Sequence, residues 1–194
     1  TMKGMFEDAT SFNQDLGSWD VSSVESGTFA EMDNMFKGTA LSSVNYDRIL
    51  VGWATRDLQE DIDLDASGVE YCNSGPLRTH MSSEFGWSIS DAGQQDGCPD
   101  LLTASQARQI GSDGNFDFGD VATTLTFSGT ASSGRVTMAR YSDPPRNVEG
   151  ISEGNVSQYR LVAAGGAITP FDSTEVRLAI SEFGDIGQPE DVTV

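Results

Sequence analysis

The sequence predicts a β-rich α+β fold: a short solenoid end with a helical cap over residues 1–99, followed by a β-sandwich over residues 100–194. Three observations carry that expectation. A segment of the form Met-x-x-Met-Phe occurs twice near the start. Helix-like and strand-like stretches then alternate. Beyond Asp100, apolar residues fall at every second position between turn-forming clusters.

The repeat comes first. Met2-Lys3-Gly4-Met5-Phe6 recurs as Met32-Asp33-Asn34-Met35-Phe36, and each copy runs into a small, turn-prone stretch. Between them, Ser18-Trp19-Asp20-Val21-Ser22-Ser23-Val24 alternates as a short strand does. A unit of this size cannot bury its apolar face alone and must stack on a neighbour. Met2, Met5, Phe6, Phe12, Leu16, Trp19, Val21 and Val24 are therefore expected to face inward, with Met32, Met35 and Phe36 beside their counterparts. With fewer than two full copies visible, the chain reads as the tail of a longer array. The equal spacing of Trp19, Trp53 and Trp87 is coincidental, because their flanking residues share nothing.

The cap follows. Ser42 or Ser43 suits the N-cap of a helix in which Tyr46, Ile49, Leu50 and Trp53 make one apolar face. Asp61-Ile62-Asp63-Leu64-Asp65 alternates as a strand with one wet face. Pro76 suits the first turn of a second helix carrying Leu77 and Met81, and Gly86 is placed to end it. Trp87-Ser88-Ile89-Ser90 is a further short strand, closed by Asp91-Ala92-Gly93.

Gly4-Met5-Phe6-Glu7-Asp8-Ala9-Thr10-Ser11-Phe12-Asn13-Gln14-Asp15-Leu16-Gly17-Ser18-Trp19-Asp20-Val21-Ser22-Ser23-Val24 resembles the bacterial surface protein repeat, the BspA-like leucine-rich-type repeat also found in mycoplasma lipoproteins. Asn45-Tyr46-Asp47, Gly52-Trp53-Ala54 and Phe85-Gly86-Trp87-Ser88-Ile89-Ser90-Asp91 resemble the closing segment of such arrays in Bacteroidetes-type surface proteins. The resemblance covers roughly residues 1–100. It implies a leucine-rich-type solenoid outside the cell, used in adhesion or surface interaction and without catalysis. The stretch between Trp19 and Met32 is longer than the family's usual spacing.

Beyond Asp100, alternation marks Val121, Thr123, Leu125 and Phe127, then Val136, Met138 and Arg140, then Tyr159, Leu161 and Ala163, then Val176, Leu178 and Ile180. Ser132-Ser133-Gly134, Asp143-Pro144-Pro145 and Gly165-Gly166 separate them, which is the spacing of a sandwich. The final residues 190–194 read as a strand cut short.

Composition narrows the function. Thirty acidic residues against eleven basic ones give a net charge of −19, a field that repels nucleic acid and anionic membrane. Only Lys3 and Lys37 stand among the basic residues beside nine Arg, a balance that fits a marine or salt-adapted source. No apolar run nears the ~18 residues that a membrane span needs. No secretory leader opens the chain, so a secreted protein would begin upstream of Thr1. Cys72 and Cys98 are the only cysteines, and His80 is the only histidine. Two thiols do not complete a tetrahedral zinc site, so a disulfide in an oxidising compartment is the simpler reading.

Sites for chemistry are sparse. His80 is the sole candidate base for a nucleophile, but it sits on a helix with no Gly-x-Ser-x-Gly turn anywhere and reads as an exposed surface residue. Asp113, Asn115, Asp117 and Asp120 are spaced as candidate calcium ligands, and Asp61, Asp63 and Asp65 are a second, weaker set. Neither run has the Gly and final Glu of an EF-hand, and a solvated acidic face is the default for both. No other cofactor is expected. The function expected is a non-catalytic extracellular surface module of a larger secreted protein, a stalk, adhesin or filament component. Its partners would be other proteins, surface glycans or copies of itself. The alternative is a carbohydrate-binding accessory region of a secreted hydrolase, in which Trp19, Tyr46 or Tyr141 would stack on sugar.

Overall fold

Ser42 opens the first helix, α1 (Ser43–Ala54), its hydroxyl accepting from the Asn45 N–H at 3.3 Å. The apolar face read from the sequence is fully buried: Tyr46, Ile49, Leu50 and Trp53. In the computed structural model, described over residues 1–25, 27, 31–128, 133–142, 159–164 and 173–178, α1 lies against the loop that follows the first repeat copy. That approach is backbone to backbone. A Cβ on Gly52 would collide with the Gly17 carbonyl, and one on Gly17 with the Arg48 carbonyl. The Trp53 indole N–H donates to the Leu16 carbonyl at 3.0 Å and fixes the same contact from the side.

The two repeat copies fold as turns. The Met5, Glu7 and Ala9 N–H groups donate to the carbonyls of Met2, Gly4 and Phe6, three residues back. Gly4 (φ 60°) and Gly38 (φ 73°) take the left-handed backbone that these turns need. The alternate N–H groups of Met2, Gly4, Phe6 and Asp8 reach the carbonyls of Glu31, Asp33, Met35 and Lys37 in one constant register. The second copy then touches β1 (Asp63–Asp65), where the Met32 N–H donates to Asp63 at 3.2 Å and the Phe36 N–H to Asp65 at 3.0 Å. Beyond it, β1 pairs in parallel with β2 (Ser88–Ser90), Leu64 opposite Ile89. Between these strands runs α2 (Gly75–Phe85), begun by Pro76 and ended by left-handed Gly86 (φ 67°).

Ring contacts follow the same order. Phe6 stacks on Phe36 at 6.0 Å, Phe36 on Trp53 at 6.3 Å, and Trp53 meets Trp87 at 6.5 Å. Met32, Met35 and Phe36 are fully buried, with neighbours on both sides. Among the described residues, the first copy is covered on one side only. Met2, Phe6 and Phe12 are half-buried, while Met5 and Trp19 stay 47% and 38% exposed and do not face inward as expected.

Among the described residues beyond Leu101, the regular elements are strands and one 3-10 turn: β3 (Leu102–Ile110), β4 (Gly114–Phe118), the turn Gly119–Val121, β5 (Thr123–Ser128), β6 (Gly134–Tyr141), β7 (Tyr159–Ala164) and β8 (Ser173–Leu178). They form two antiparallel sheets of three strands each, in the orders β3-β6-β7 and β4-β5-β8. A second core of Ile110, Phe118, Val121, Leu125, Phe127, Val136 and Met138 draws on both.

The expected fold class needs correcting. Among the described residues there is no leucine-rich-type solenoid, because the repeat copies are turns. Their parallel pairing amounts to spaced single bonds and the isolated Met32–Leu64 bridge, beside one sheet of two three-residue strands. Nor do the described residues form a β-sandwich: their two small sheets hold three strands each, fewer in all than the roughly seven that such a domain uses. Among the described residues, the fold is a small, mostly stranded one with two α-helices. Ser26, Thr28, Phe29, Ala30, Ser132, Asp143-Pro144-Pro145, Gly165-Gly166, Ile180 and the strand expected at 190–194 lie outside the described residues.

Candidate functional site

A group of buried polar contacts lies where α1, α2 and the β3-β6-β7 sheet meet. Helix α2 starts after Ser74, whose side chain makes no cap bond, and the turn leading into it presents three buried N–H groups. Asp47 answers them from α1. Its carboxylate, 6% exposed as a residue, accepts from the N–H groups of Cys72 (3.0 Å), Asn73 (2.8 Å) and Ser74 (3.0 Å). An anion beside a helix N-terminus also meets the favourable end of its dipole.

Asn73 carries the connection onward. Its side-chain oxygen accepts from the N–H groups of Leu101 (3.1 Å) and Leu102 (3.2 Å), and its amide donates to the Pro99 carbonyl at 3.2 Å. The Tyr141 hydroxyl of β6 donates to the Asn73 carbonyl at 3.1 Å. Burial, with the Asp47 charge added, pushes the Tyr141 phenol well above its ordinary range, so it stays a donor. Cys72 and Cys98 close the loop as a disulfide with Cα atoms 5.6 Å apart, inside the ~7 Å that such a bond allows. A shallow cleft of about 370 Å³ opens beside it, lined by Asn73, Gln94, Gln95, Asp96 and Asp100 among others. Near β2, the buried Asp91 carboxylate takes both the Arg78 guanidinium (2.6 and 3.2 Å) and the Tyr46 hydroxyl (3.1 Å).

His80 lies on the same helix and corrects the sequence reading. It is 1% exposed, not a surface residue, because α2 lays this face on β6. Its Nδ1 is 3.0 Å from the Thr137 hydroxyl, and its ring meets Phe85 edge-on at 5.8 Å. Nothing nucleophilic lies within these contacts beyond the Thr137 hydroxyl, a β6 residue that is itself buried.

The candidate calcium ligands do not converge. Asn115 and Asp117 lie on extended β4, so they share a face about 6.6 Å apart along the strand. Asp113 precedes that strand and Asp120 follows it in the 3-10 turn, and all four residues are exposed. The Asn115 side-chain oxygen accepts from the Thr126 hydroxyl at 2.7 Å. In the other set, Asp63 and Asp65 flank Leu64 on β1, and Asp61 precedes them in a left-handed turn (φ 58°). The Asp65 carboxylate is taken by the Ser67 N–H (2.8 Å) and hydroxyl (2.5 Å). Among the described residues, no group of three or more His, Cys, Asp or Glu side chains is arranged to hold a metal ion.

Of the aromatics considered for sugar stacking, Tyr46 and Tyr141 are buried and Trp19 is accessible. Trp19 lies 6.1 Å from Phe6, which stacks on Phe12 at 4.0 Å. Sequence reasoning missed the Asp47–Asn73–Tyr141 group altogether. Its donors, the N–H groups of residues 72–74, belong to the turn before α2, and no local pattern assigns them an acceptor on α1.

A family model described as Mycoplasma protein of unknown function, DUF285, matches residues 1–62. That span holds both Met-x-x-Met-Phe copies and all of α1, so this part of the chain is similar to a mycoplasma-type repeat family. No curated protein and no solved structure matches the chain. Among the described residues, no helix is long and apolar enough to cross a membrane.

Proposed function

We propose that the chain is a non-catalytic surface module of the BspA-like repeat kind, working outside the cell as a stalk, adhesin or filament component. The observation that carries this reading is the junction: Asp47, Asn73, Tyr141 and the Cys72–Cys98 disulfide tie α1 and the segment leading into α2 to the β3-β6-β7 sheet. A body built this way transmits position and load from one end to the other. The disulfide suits an oxidising compartment, and the net charge of −19 turns the module away from nucleic acid and anionic lipid and towards protein or glycan surfaces. Similarity of residues 1–62 to a mycoplasma repeat family supports the same placement.

A second reading, a carbohydrate-binding region, is favoured by one observation, the accessible Trp19 beside the stacked Phe6–Phe12 pair. A paired screen separates the two. The oxidised chain is probed against extracellular proteins and a glycan array, alongside glycoside, ester and peptide substrates. Saturable protein binding that survives Trp19→Ala supports the surface module. Glycan binding lost in Trp19→Ala supports the second reading. Turnover of any substrate in proportion to protein added overturns both.

A further inference from the structure

The geometry points to a pH-sensitive latch: His80 holds α2 against the β6–β7 face only while its ring is neutral, so mild acidification undocks the repeat-bearing half from the sheet. The argument begins with position. His80 is the chain's only histidine, and among side chains only histidine ordinarily changes charge between about pH 5 and pH 8. It stands in the contact between α2 and the sheet, 1% exposed, with Thr137 of β6 on its Nδ1. Ala163 of β7 belongs to the same main core as Leu77, Met81 and Phe85 of α2, so the ring is covered from both strands.

The pocket is made for a neutral imidazole. Thr137 serves either tautomer through its rotating hydroxyl, but Nε2 is buried with no partner in hydrogen-bonding geometry among the described residues. A second ring proton would be buried there away from water, with the Ala164 backbone as its near neighbour. The charged groups that act on the ring are few. From α2, Glu84 favours its protonation; from β7, a hydrogen bond to the Ala164 backbone favours it too; from β6, Arg135 opposes it, and Ala163 and Ala164 bring no charge. Glu84 is itself held by Arg135, 3.2 Å to the guanidinium and 3.2 Å to the backbone N–H, so its charge is largely answered. Asp47 on α1 is engaged with the three N–H groups of residues 72–74, just before α2. Burial is the largest influence, and it lowers the ring's pKa below the ordinary 6.5.

The sign follows from linkage. Undocking returns His80 to water, where it takes a proton below about 6.5. Docking is therefore at full strength above that value and weakens as pH falls, until the docked ring protonates as well. Within that window the opening equilibrium rises up to about tenfold per pH unit.

Hydrogen exchange on the whole oxidised chain reads this directly. Between about pH 7.5 and about pH 5, and after correction for intrinsic exchange, the α2 amides and the Thr137 amide should open progressively in the wild type. In His80→Gln, which keeps a polar neutral side chain, they should not respond to pH. An equal rise in His80→Gln, or a flat wild type, overturns the latch. Should His80→Gln fail to fold, the wild type alone decides by NMR. The single imidazole should titrate below 6.5 with the Thr137 methyl following the same midpoint; a midpoint at or above 6.5, or an indifferent Thr137, overturns it.

Discussion

Asp47 shows how much one side chain can organise. Its carboxylate answers three backbone N–H groups of residues 72–74 at 2.8–3.0 Å, in a place closed to water. Asp47→Ala strands those donors, and each buried unsatisfied group costs about 1–3 kcal/mol, part of which relaxation recovers. We expect a loss of about 3 kcal/mol, which for a chain of this size lowers Tm by roughly 6–12 °C. Asp47→Asn keeps one acceptor oxygen and should lose about half as much. Thermal unfolding of the two variants checks the order; a loss under about 1 kcal/mol in Asp47→Ala would show that water replaces the carboxylate. Sequence alone does not reveal this role, because an aspartate one position after Tyr46 on an amphipathic helix looks like any solvated residue. Its meaning depends on a loop twenty-five residues away.

At the scale of elements, legibility tracked how local the determining physics is. Both helices were readable, since Ser42, Pro76 and Gly86 act within a turn of themselves and the apolar spacing of Tyr46, Ile49, Leu50 and Trp53 is periodic. Strands β5 and β6 were readable from alternation, although Val121 belongs to the turn before β5. On β6 the alternation understated burial: Val136 and Met138 fill one core, while Thr137, Ala139 and Tyr141 are buried on the other face against α2 and its loop. Strands β3 and β4 were missed. In Leu102–Ile110 polar residues interrupt the apolar ones, and its pairing is set by β6, a partner distant in sequence. The repeat copies were recognised but not their turn geometry, because alternate N–H groups close local turns while the others bond across. The α1 contact offers a test at this scale. Gly52→Ala adds one methyl group where the Gly17 carbonyl already stands, and backbone cannot step aside as a side chain can. Helix propensity alone would make this substitution favourable by about 1 kcal/mol. We expect it instead to destabilise by about 1–3 kcal/mol, as overpacking does, and to expose Trp53 to fluorescence quenchers. A variant more stable than wild type would show that α1 is not pressed on the loop.

Over the whole molecule, the question is what keeps the repeat copies and the β-sheets one body. The main core contains Ala163 of β7 together with residues of α1 and α2, and Tyr141, Leu101 and Leu102 converge on Asn73 from the sheet side. All of these contacts depend on the segment between Cys72 and Cys98 keeping its shape. The disulfide constrains that segment in the unfolded chain too, across a separation of 26 residues, which the chain-entropy account values at about 3 kcal/mol. Its removal should therefore cost more than a surface bond would, since Cys72 itself donates to Asp47 and its neighbour Asn73 holds the sheet. We expect reduction, or the double change Cys72→Ser with Cys98→Ser, to lower Tm by roughly 6–12 °C. Hydrogen exchange should show Leu101 and Leu102 losing protection before the amides of β5. The order matters more than the size. If β5 opened first, or all sites together, the bond would be a general staple and not the clamp of the junction. Calorimetry with and without reductant, followed by exchange on the reduced chain, separates the two outcomes.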